Sequence, residues 1–379
     1  MEKKKSAWKT ALLASGSFAG YNIGSGFATG TEGQQFFASW GAPNAFIGVL
    51  VAMVTTALIF IPVYLVGYRK KADASYNVYH YYCGSKVGKI IDTYVYIGML
   101  LVILIMMSGA GATINQYFGI PKAVGAILLG VLCIGATLLG LEKLMHVLSY
   151  AGVVIVAFVL CCTAYIRFSK GITLSIPTAT IEAYVAAGEL KQISLFGLSG
   201  PVFCGIINAG LLVYASLPWV ASTGSLCENR KTAIWSGALS GVIFYAAQTI
   251  VVYLSLISID KIAGAEVPVL AVFQSYLPAV AMIYSVFIIV AIFSTVSGRL
   301  FVFASHFDKG NRKRHILITS AVVVFSAVGG TFIPYSALSK FEFTLHGCLG
   351  LSLGLTILVR TVIDRKKLPK EPTPQIPAD

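Results

Sequence analysis

Charged residues are scarce in this chain. Asp, Glu, Lys and Arg make up 11% of the 379 residues, whereas hydrophobic residues make up 57%. Soluble domains carry about 25% charged residues, so the composition excludes an ordinary soluble protein. The apolar runs are about 20 residues long, as a membrane-spanning helix requires, and the short alternating segments of a membrane β-barrel are missing. The sequence therefore predicts an all-α polytopic membrane protein.

Clustered histidines and closely spaced cysteines are missing as well. The seven cysteines form no CxxC pair and the five histidines form no cluster, so no spacing is typical of a metal-ligand set. Isolated cysteines in apolar segments are ordinary packing residues. The spans also contain no paired carboxylates, which argues against a membrane enzyme. We expect no catalytic residues and no organic cofactor.

Ten apolar segments are long enough to cross a membrane. These spans lie at about residues 9–37, 41–67, 90–116, 122–140, 145–168, 200–226, 232–258, 278–305, 316–333 and 340–362. Five spans are an odd number, so the second set of five begins on the opposite side of the membrane and has inverted topology. The chain then divides into a cytoplasmic segment 1–8, a first repeat 9–168, an outer connection 169–199, a second repeat 200–362 and a disordered polar tail 363–379.

The protein has a net charge of +13, and its basic residues lie mostly at the ends of the spans. With ten spans, about 21 of the 28 basic residues fall on the side of both termini and about six on the other side. The positive-inside rule makes the first side cytoplasmic. The charges therefore indicate a lipid bilayer, not nucleic acid, as the partner. The basic N-terminus is followed by no small-residue cleavage site, so we expect the first span to be retained.

Glycine interrupts the first span. Gly20, Gly24 and Gly26 lie near its middle, and each costs a helix about 1 kcal/mol relative to Ala. Span six, its counterpart in the second half, carries Pro218, which removes a helical hydrogen bond. Transporters built from inverted repeats bind solute where the first helix of each half is broken. Gly16, Gly20 and Gly24 recur every four residues, a spacing that is also typical of close helix packing. Packing explains neither Gly26 nor the interruption in span six.

The run IGSGFATG, residues 23–30, resembles the first-span motif of the amino acid–polyamine–organocation superfamily, whose transporters have the LeuT fold of two inverted five-helix repeats. The longer pattern GSGFATGTE, with ten spans and little else, is most similar to the bacterial YkvI-type membrane proteins. The resemblance implies a bacterial cytoplasmic membrane, alternating access and solute binding between spans one, three, six and eight. The stretch YASLPW in span six differs from the glycine-rich or Phe-containing breaks of well-known amino-acid carriers, which leaves the solute open.

A half-helix that starts after a break presents unpaired amides and a partial positive charge to an anionic group. The amides in question belong to Ser25, Gly26 and Phe27, and we expect them to bind the carboxylate of an amino-acid-like solute.

Further contacts to the solute are expected from spans three and six. The candidates are Met107, Ser108, Tyr214 and Ser216, with Phe27 completing an apolar and aromatic lining. Ordinary helix packing is the alternative for each of them.

Ionisable residues inside spans are costly and mark functional sites by default. Glu32 lies one to two turns outward of the break and is predicted to receive a substrate ammonium or guanidinium, to act in an outer gate or to form a structural pair. Arg299 lies in the cytoplasmic half of span eight and is predicted to be an inner gate or a structural pair. Asp92, at the start of span three, is its candidate partner.

Span eight carries the adjacent hydroxyls of Ser294 and Thr295. Such hydroxyls ordinarily bond back to the preceding turn of their own helix. The resemblance implies a second interpretation, a sodium site formed by Ser294, Thr295 and the carbonyls of Ala291, Gly20 and Ile23. Proton-coupled relatives place a lysine from span five nearby, and span five here has none, which favours sodium.

The sequence thus predicts a secondary active transporter for a small amino-acid-like or organocation solute, coupled to sodium. The alternatives are a proton-coupled transporter and a channel or sensor that keeps the transporter fold. The sequence does not determine the oligomeric state, and a monomer is compatible with it.

Overall fold

The computed structural model describes residues 7–72, 76–118, 120–174, 178–195, 197–265, 267–330 and 335–364. The predicted terminal segments 1–8 and 363–379 lie almost wholly outside these ranges. In the described part of the chain the regular structure is helical, apart from one isolated bridge between Leu195 and Leu198.

Sixteen α-helices follow one another along the described residues. They are α1 (Ala7–Asn22), α2 (Ser25–Thr29), α3 (Thr31–Phe36), α4 (Asn44–Lys70), α5 (Val78–Cys83), α6 (Ser85–Phe118), α7 (Lys122–Thr137), α8 (Leu141–Ser169), α9 (Thr178–Ala186), α10 (Pro201–Gly224), α11 (Arg230–Ile257), α12 (Ile259–Ile262), α13 (Pro268–Tyr276), α14 (Pro278–Asp308), α15 (Arg312–Gly330) and α16 (Tyr335–Asp364).

Six stretches of the described chain are helical, long and apolar enough to cross a membrane. They are Asn44–Lys70, Ser85–Gly111, Leu141–Ser169, Arg230–Ile257, Pro278–Asp308 and Glu342–Asp364. The two parts of α10 make a seventh if they are counted as one bent span. Large apolar side chains on the outer faces, such as Leu128 and Val153, are more than half exposed, as lipid contact requires. The protein is a multi-pass helical membrane protein, whereas the count of ten spans stays a prediction.

The inner helices pack at very short distances because glycines line their contacts. A Cβ on Gly205 of α10 would lie 2.4 Å from the Gly48 carbonyl of α4, and one on Gly210 would lie 2.2 Å from the Gly347 carbonyl of α16. Small residues let membrane helices approach to backbone contact. This packing fixes α10 between α4 and α16.

Glycines of the first span also allow α1 to pack closely against α8. A Cβ on Gly20 would lie 2.0 Å from the Leu148 carbonyl, and one on Gly16 would lie 2.4 Å from the Ser149 hydroxyl. Both interpretations of the glycines therefore apply, since the same segment packs closely and is then interrupted.

The interruption falls at Ile23 and Gly24, between α1 and α2. The Gly24 amide donates to the Asn22 carbonyl at 2.8 Å, although in a continuous helix it would donate to Gly20. A second change of direction follows at Gly30, whose left-handed φ of 80° suits a residue without a side chain.

Helix α10 bends by 64° between Pro201–Tyr214 and Ser216–Gly224. Pro218 lies just beyond the bend and has no N–H to donate to the Tyr214 carbonyl, four residues earlier. The Ser216 hydroxyl donates to the Leu212 carbonyl of the preceding turn, a bond that frequently accompanies helix bending.

Several helix ends differ from the sequence prediction. Helix α6 starts at Ser85, five residues before the expected start at 90, and α8 starts at Leu141, not at 145. The polar first turns of both helices lie outside the apolar runs that defined the spans, so hydropathy alone missed them. Three stretches between the predicted spans, residues 68–89, 169–199 and 259–277, contain the short helices α5, α9, α12 and α13.

Candidate functional site

The Ser294 side chain of α14 lies beside the interruption of the first span. Its hydroxyl is 2.8 Å from the Gly20 carbonyl, 2.9 Å from the Ala291 carbonyl and 3.4 Å from the Ile23 carbonyl. Two of these carbonyls belong to the last residues before Gly24. The Gly20 carbonyl is available because the Gly24 amide is bonded to Asn22.

Thr295 adds a second hydroxyl at the same place. Its Oγ1 is buried and has no hydrogen-bond partner among the described residues. A Cβ on Gly24 would lie 2.8 Å from this oxygen. Two hydroxyls and three carbonyls thus converge where α14 crosses the break, and oxygen ligands of this kind suit a hard cation.

The two interrupted elements contact each other through Asn22 and Ser216. The Asn22 side-chain amide donates to the Phe18 carbonyl at 2.9 Å and lies 3.4 Å from the Ser216 hydroxyl. Sequence reasoning chose Ser216 and missed Asn22. The available signal was an amide side chain inside an apolar span, next to the glycines.

Glu32 is buried in α3, with 5% of its surface exposed. Its Oε1 accepts a hydrogen bond of 2.8 Å from Asn208 of α10, whose Oδ1 in turn accepts one of 2.7 Å from the Tyr245 hydroxyl of α11. Its Oε2 lies 3.4 Å from where a Cβ on Gly26 would be, and the Phe343 ring lies 3.1 Å from the same point. The carboxylate is therefore held at one oxygen and faces the start of α2 with the other.

The predicted amide donors lie on helix α2, whose five residues begin at Ser25. Tyr284 of α14 donates from its hydroxyl to the Ala28 carbonyl and so fixes this short helix. Phe27 is buried, and its ring lies 6.0 Å from that of Phe244.

Tyr214, at the bend of α10, contacts α6 and α16. Its ring stacks on His346 with 4.0 Å between centroids, and a Cβ on Gly98 would lie 1.7 Å from its hydroxyl oxygen. The His346 Nδ1 lies 3.8 Å from a carboxylate oxygen of Glu342. Sequence reasoning missed His346 because a lone histidine in an apolar run gives no signal of its partner.

Helix α6 turns a different methionine toward the break. The Met106 methyl carbon lies 2.9 Å from where a Cβ on Gly24 would be, whereas the Met107 methyl lies 3.1 Å from the corresponding point on Gly130 of α7. Successive residues of a helix point about 100° apart, so Met106 lies at the break and Met107 lies against α7, while a solute contact of Met107 stays a prediction. Ser108 is half-buried on the same helix.

Asp92 and Arg299 do not pair with each other. Asp92 Oδ2 lies 3.2 Å from His306 Nε2 and accepts a 3.0 Å hydrogen bond from Asn77. Arg299 lies seven residues before His306 on α14, about 10 Å deeper along the helix. The structural pair predicted for Asp92 and Arg299 is thus wrong in its partner, because depth along a helix decides which charges meet.

No group of three or more His, Cys, Asp or Glu side chains that could hold a metal ion occurs in the part of the chain that the structure describes. The groups that converge at the candidate cation position beside Ser294 are hydroxyls and carbonyls.

Solved structures of membrane transporters share this fold. The chain matches a Na+-coupled sialic acid symporter with a TM-score of 0.60 and 15% identity, covering 94% of this chain and 79% of the symporter. It matches Mhp1, a nucleobase-cation-symport-1 family transporter, with a TM-score of 0.57, 13% identity and the same coverage. A manganese transporter of Eremococcus coleocola gives a TM-score of 0.55 and 13% identity over 99% of this chain and 84% of the transporter. The chain has the LeuT fold of these transporters.

A curated relative is also a membrane protein. The uncharacterised membrane protein YkvI of Bacillus subtilis (strain 168) is 22% identical over 351 residues, which cover 93% of this chain and 96% of YkvI. The chain is a homologue of YkvI, as the sequence resemblance predicted. No protein-family profile matches the chain.

Proposed function

We propose that this chain is a secondary active transporter that moves a small amino-acid-like or organocation solute across the bacterial cytoplasmic membrane by alternating access, coupled to sodium. The observation that carries the proposal is the position of the Ser294 hydroxyl among the carbonyls of Gly20, Ile23 and Ala291.

The sodium ion is bound by five oxygens in this proposal. Ser294 and Thr295 supply hydroxyls, and Gly20, Ile23 and Ala291 supply carbonyls. The ion links α14 to the end of α1, so its binding favours one arrangement of the two helices over another. The match to a transporter described as Na+-coupled supports this choice, although that likeness is one of fold.

The architecture proposed is two inverted five-helix repeats with both termini in the cytoplasm. The interruption after Asn22 and the 64° bend of α10 support broken first helices in both halves, as inverted-repeat transporters have.

The solute lies between these two elements in this proposal. The amides of Ser25, Gly26 and Phe27 face it from α2, and Tyr214 and Ser216 contribute from α10. Glu32 contributes the carboxylate oxygen that faces Gly26. On α6, Met106 lies beside the break, and Met107 and Ser108 are the contacts that the sequence predicts.

Uptake into proteoliposomes tests the proposal. We expect uptake of a stabilising solute, found by a thermal-shift screen of amino acids and amines, to depend on an inward sodium gradient. If uptake is equal in sodium and choline but is abolished by a protonophore, the coupling ion is the proton and not sodium. Solute binding without accumulation against a gradient would favour a channel or a sensor.

A further inference from the structure

Arg299 is a buried cation with no carboxylate at ion-pair distance among the described residues. It lies within membrane-spanning helix α14 and is 6% exposed. Among the described residues its Nε and Nη1 have no hydrogen-bond partner, and the ion pairs found there do not include Arg299. A buried charge without a partner is strongly destabilising, and inside a membrane such a residue marks a functional site.

The ring of Tyr21 lies against the guanidinium. Its central carbon lies 5.7 Å from the centre of the Tyr21 ring, and Tyr21 stacks on Trp219 with 5.1 Å between centroids. The Trp219 Nε1 is a second buried donor without a partner in the described part of the chain. The cluster therefore presents N–H groups of Arg299 and Trp219 that have no acceptor among the described residues.

This donor cluster adjoins the proposed transport site. Tyr21 lies between Gly20, whose carbonyl contacts Ser294, and Asn22, which contacts Ser216. Trp219 lies on α10 just beyond the bend at residue 215. Arg299 follows Ser294 by five residues on α14, about 7.5 Å along the helix axis. The donors thus lie on the three elements that meet at the break.

We infer that Arg299 binds a carboxylate of the transported solute, so that the substrates are carboxylic acids, amino acids included, and not amines that lack an acidic group. The planar guanidinium matches a carboxylate with two parallel hydrogen bonds. The inference rests on the proposed transport function and narrows its substrate class. Arg299 then takes the carboxylate that the sequence assigned to the amides of α2, and Glu32, beside α2, faces the cationic end of a zwitterion.

Matched ligands test this inference in purified protein. Thermal shifts are measured in sodium chloride with amino acids, with the amines that result from their decarboxylation, and with the acids that lack the amino group. We expect every stabilising compound to carry a carboxylate. Removing one partner of a buried charge pair costs enough to weaken binding about thirtyfold or more, so Arg299→Gln should lose these shifts while sodium still stabilises the protein.

Arg167→Gln is the matched control, because Arg167 also lies over an aromatic ring, that of Phe168, but near the end of α8. It should bind the same ligands as the wild-type protein. If Arg299→Gln does not fold, Arg299→Lys replaces it, since lysine keeps the charge but loses the two-pronged geometry. We then expect weaker carboxylate binding with unchanged stabilisation by sodium.

Three results would overturn the inference. They are stabilisation by the decarboxylated amines as large as that by the amino acids, carboxylate binding in the Arg299 variants equal to that of the wild type, and a panel in which sodium stabilises the protein but carboxylates do not. The last result would leave the proposed sodium coupling intact. If sodium does not stabilise the wild-type protein, the proposed sodium-coupled transport itself is contradicted.

Discussion

The Ser294 hydroxyl lies 2.8 Å from the carbonyl of Gly20, a residue 274 positions earlier in the chain. The contact exists because the amide of Gly24 bonds to Asn22 and leaves that carbonyl without its helical partner. A glycine-rich interruption in the first apolar span is thereby tied to a hydroxyl in the second half of the protein.

Replacing both hydroxyls tests the sodium site. We expect the Ser294→Ala, Thr295→Ala double variant to lose sodium-dependent thermal stabilisation, an effect that reaches about 2.7 kcal/mol when a ligand exceeds its Kd hundredfold. Stability is compared in sodium and choline chloride. Ser285→Ala is the control, since Ser285 donates only within α14, to Met282. If the double variant keeps the full sodium dependence, Ser294 and Thr295 do not bind sodium and only pack between helices.

We expect Gly26, at the start of α2, not to tolerate replacement by a residue with a side chain. A Cβ there already lies 3.1 Å from Phe343, so Gly26→Val should abolish solute-induced stabilisation and uptake without removing the protein from the membrane. Gly135→Val is the control, because a Cβ at Gly135 meets nothing within 4 Å.

Gly16→Ala should be milder than Gly26→Val in solute binding, since the atom it approaches is the Ser149 hydroxyl, which rotates away. Equal loss of solute binding at both glycines would show that close helix packing, and not the break, accounts for them.

Glu32→Gln should weaken cationic or zwitterionic solutes about tenfold or more, with little loss of stability. The glutamine carbonyl still accepts the bond that Asn208 donates to Glu32, but the charge that attracts a cation is gone. Tyr245→Phe is the comparison, because it removes only the bond to Asn208, worth about 0.5–1.5 kcal/mol. Unchanged affinity in Glu32→Gln with slower transport would assign Glu32 to a gate.

The pair of Asp92 and His306 should stabilise the side of the bundle where α5, α6 and α14 meet. A double-mutant cycle of Asp92→Asn and His306→Ala should give a coupling energy of about 0.5–3 kcal/mol, as contacting residues do. The exposed pair of Asp260 and Lys261 is the reference, and exposed pairs contribute about 0–1 kcal/mol. If the effects of the two substitutions are additive, the coupling energy is zero and the contact between Asp92 and His306 does not contribute to stability.

The sequence by itself determined the class of protein. Apolar runs of spanning length leave only helices as a means to satisfy the backbone in lipid, and this prediction of a helical membrane protein is confirmed. Local chemistry also indicated where α1 ends and where α10 bends, since glycine and proline weaken a helix wherever they occur; two first spans broken at the midplane stay a prediction. The likeness to YkvI, seen in the glycine motif, is confirmed as well.

The tertiary structure decided which side chains meet. Met106 and not Met107 lies at Gly24, Asp92 meets His306 and not Arg299, and Asn22 reaches Ser216. Each outcome depends on how far a helix is rotated and how deep a residue lies when another helix packs against it. A rotation of about 100° per residue separates neighbours in the sequence, so one step in register changes the partner while the apolar pattern stays the same.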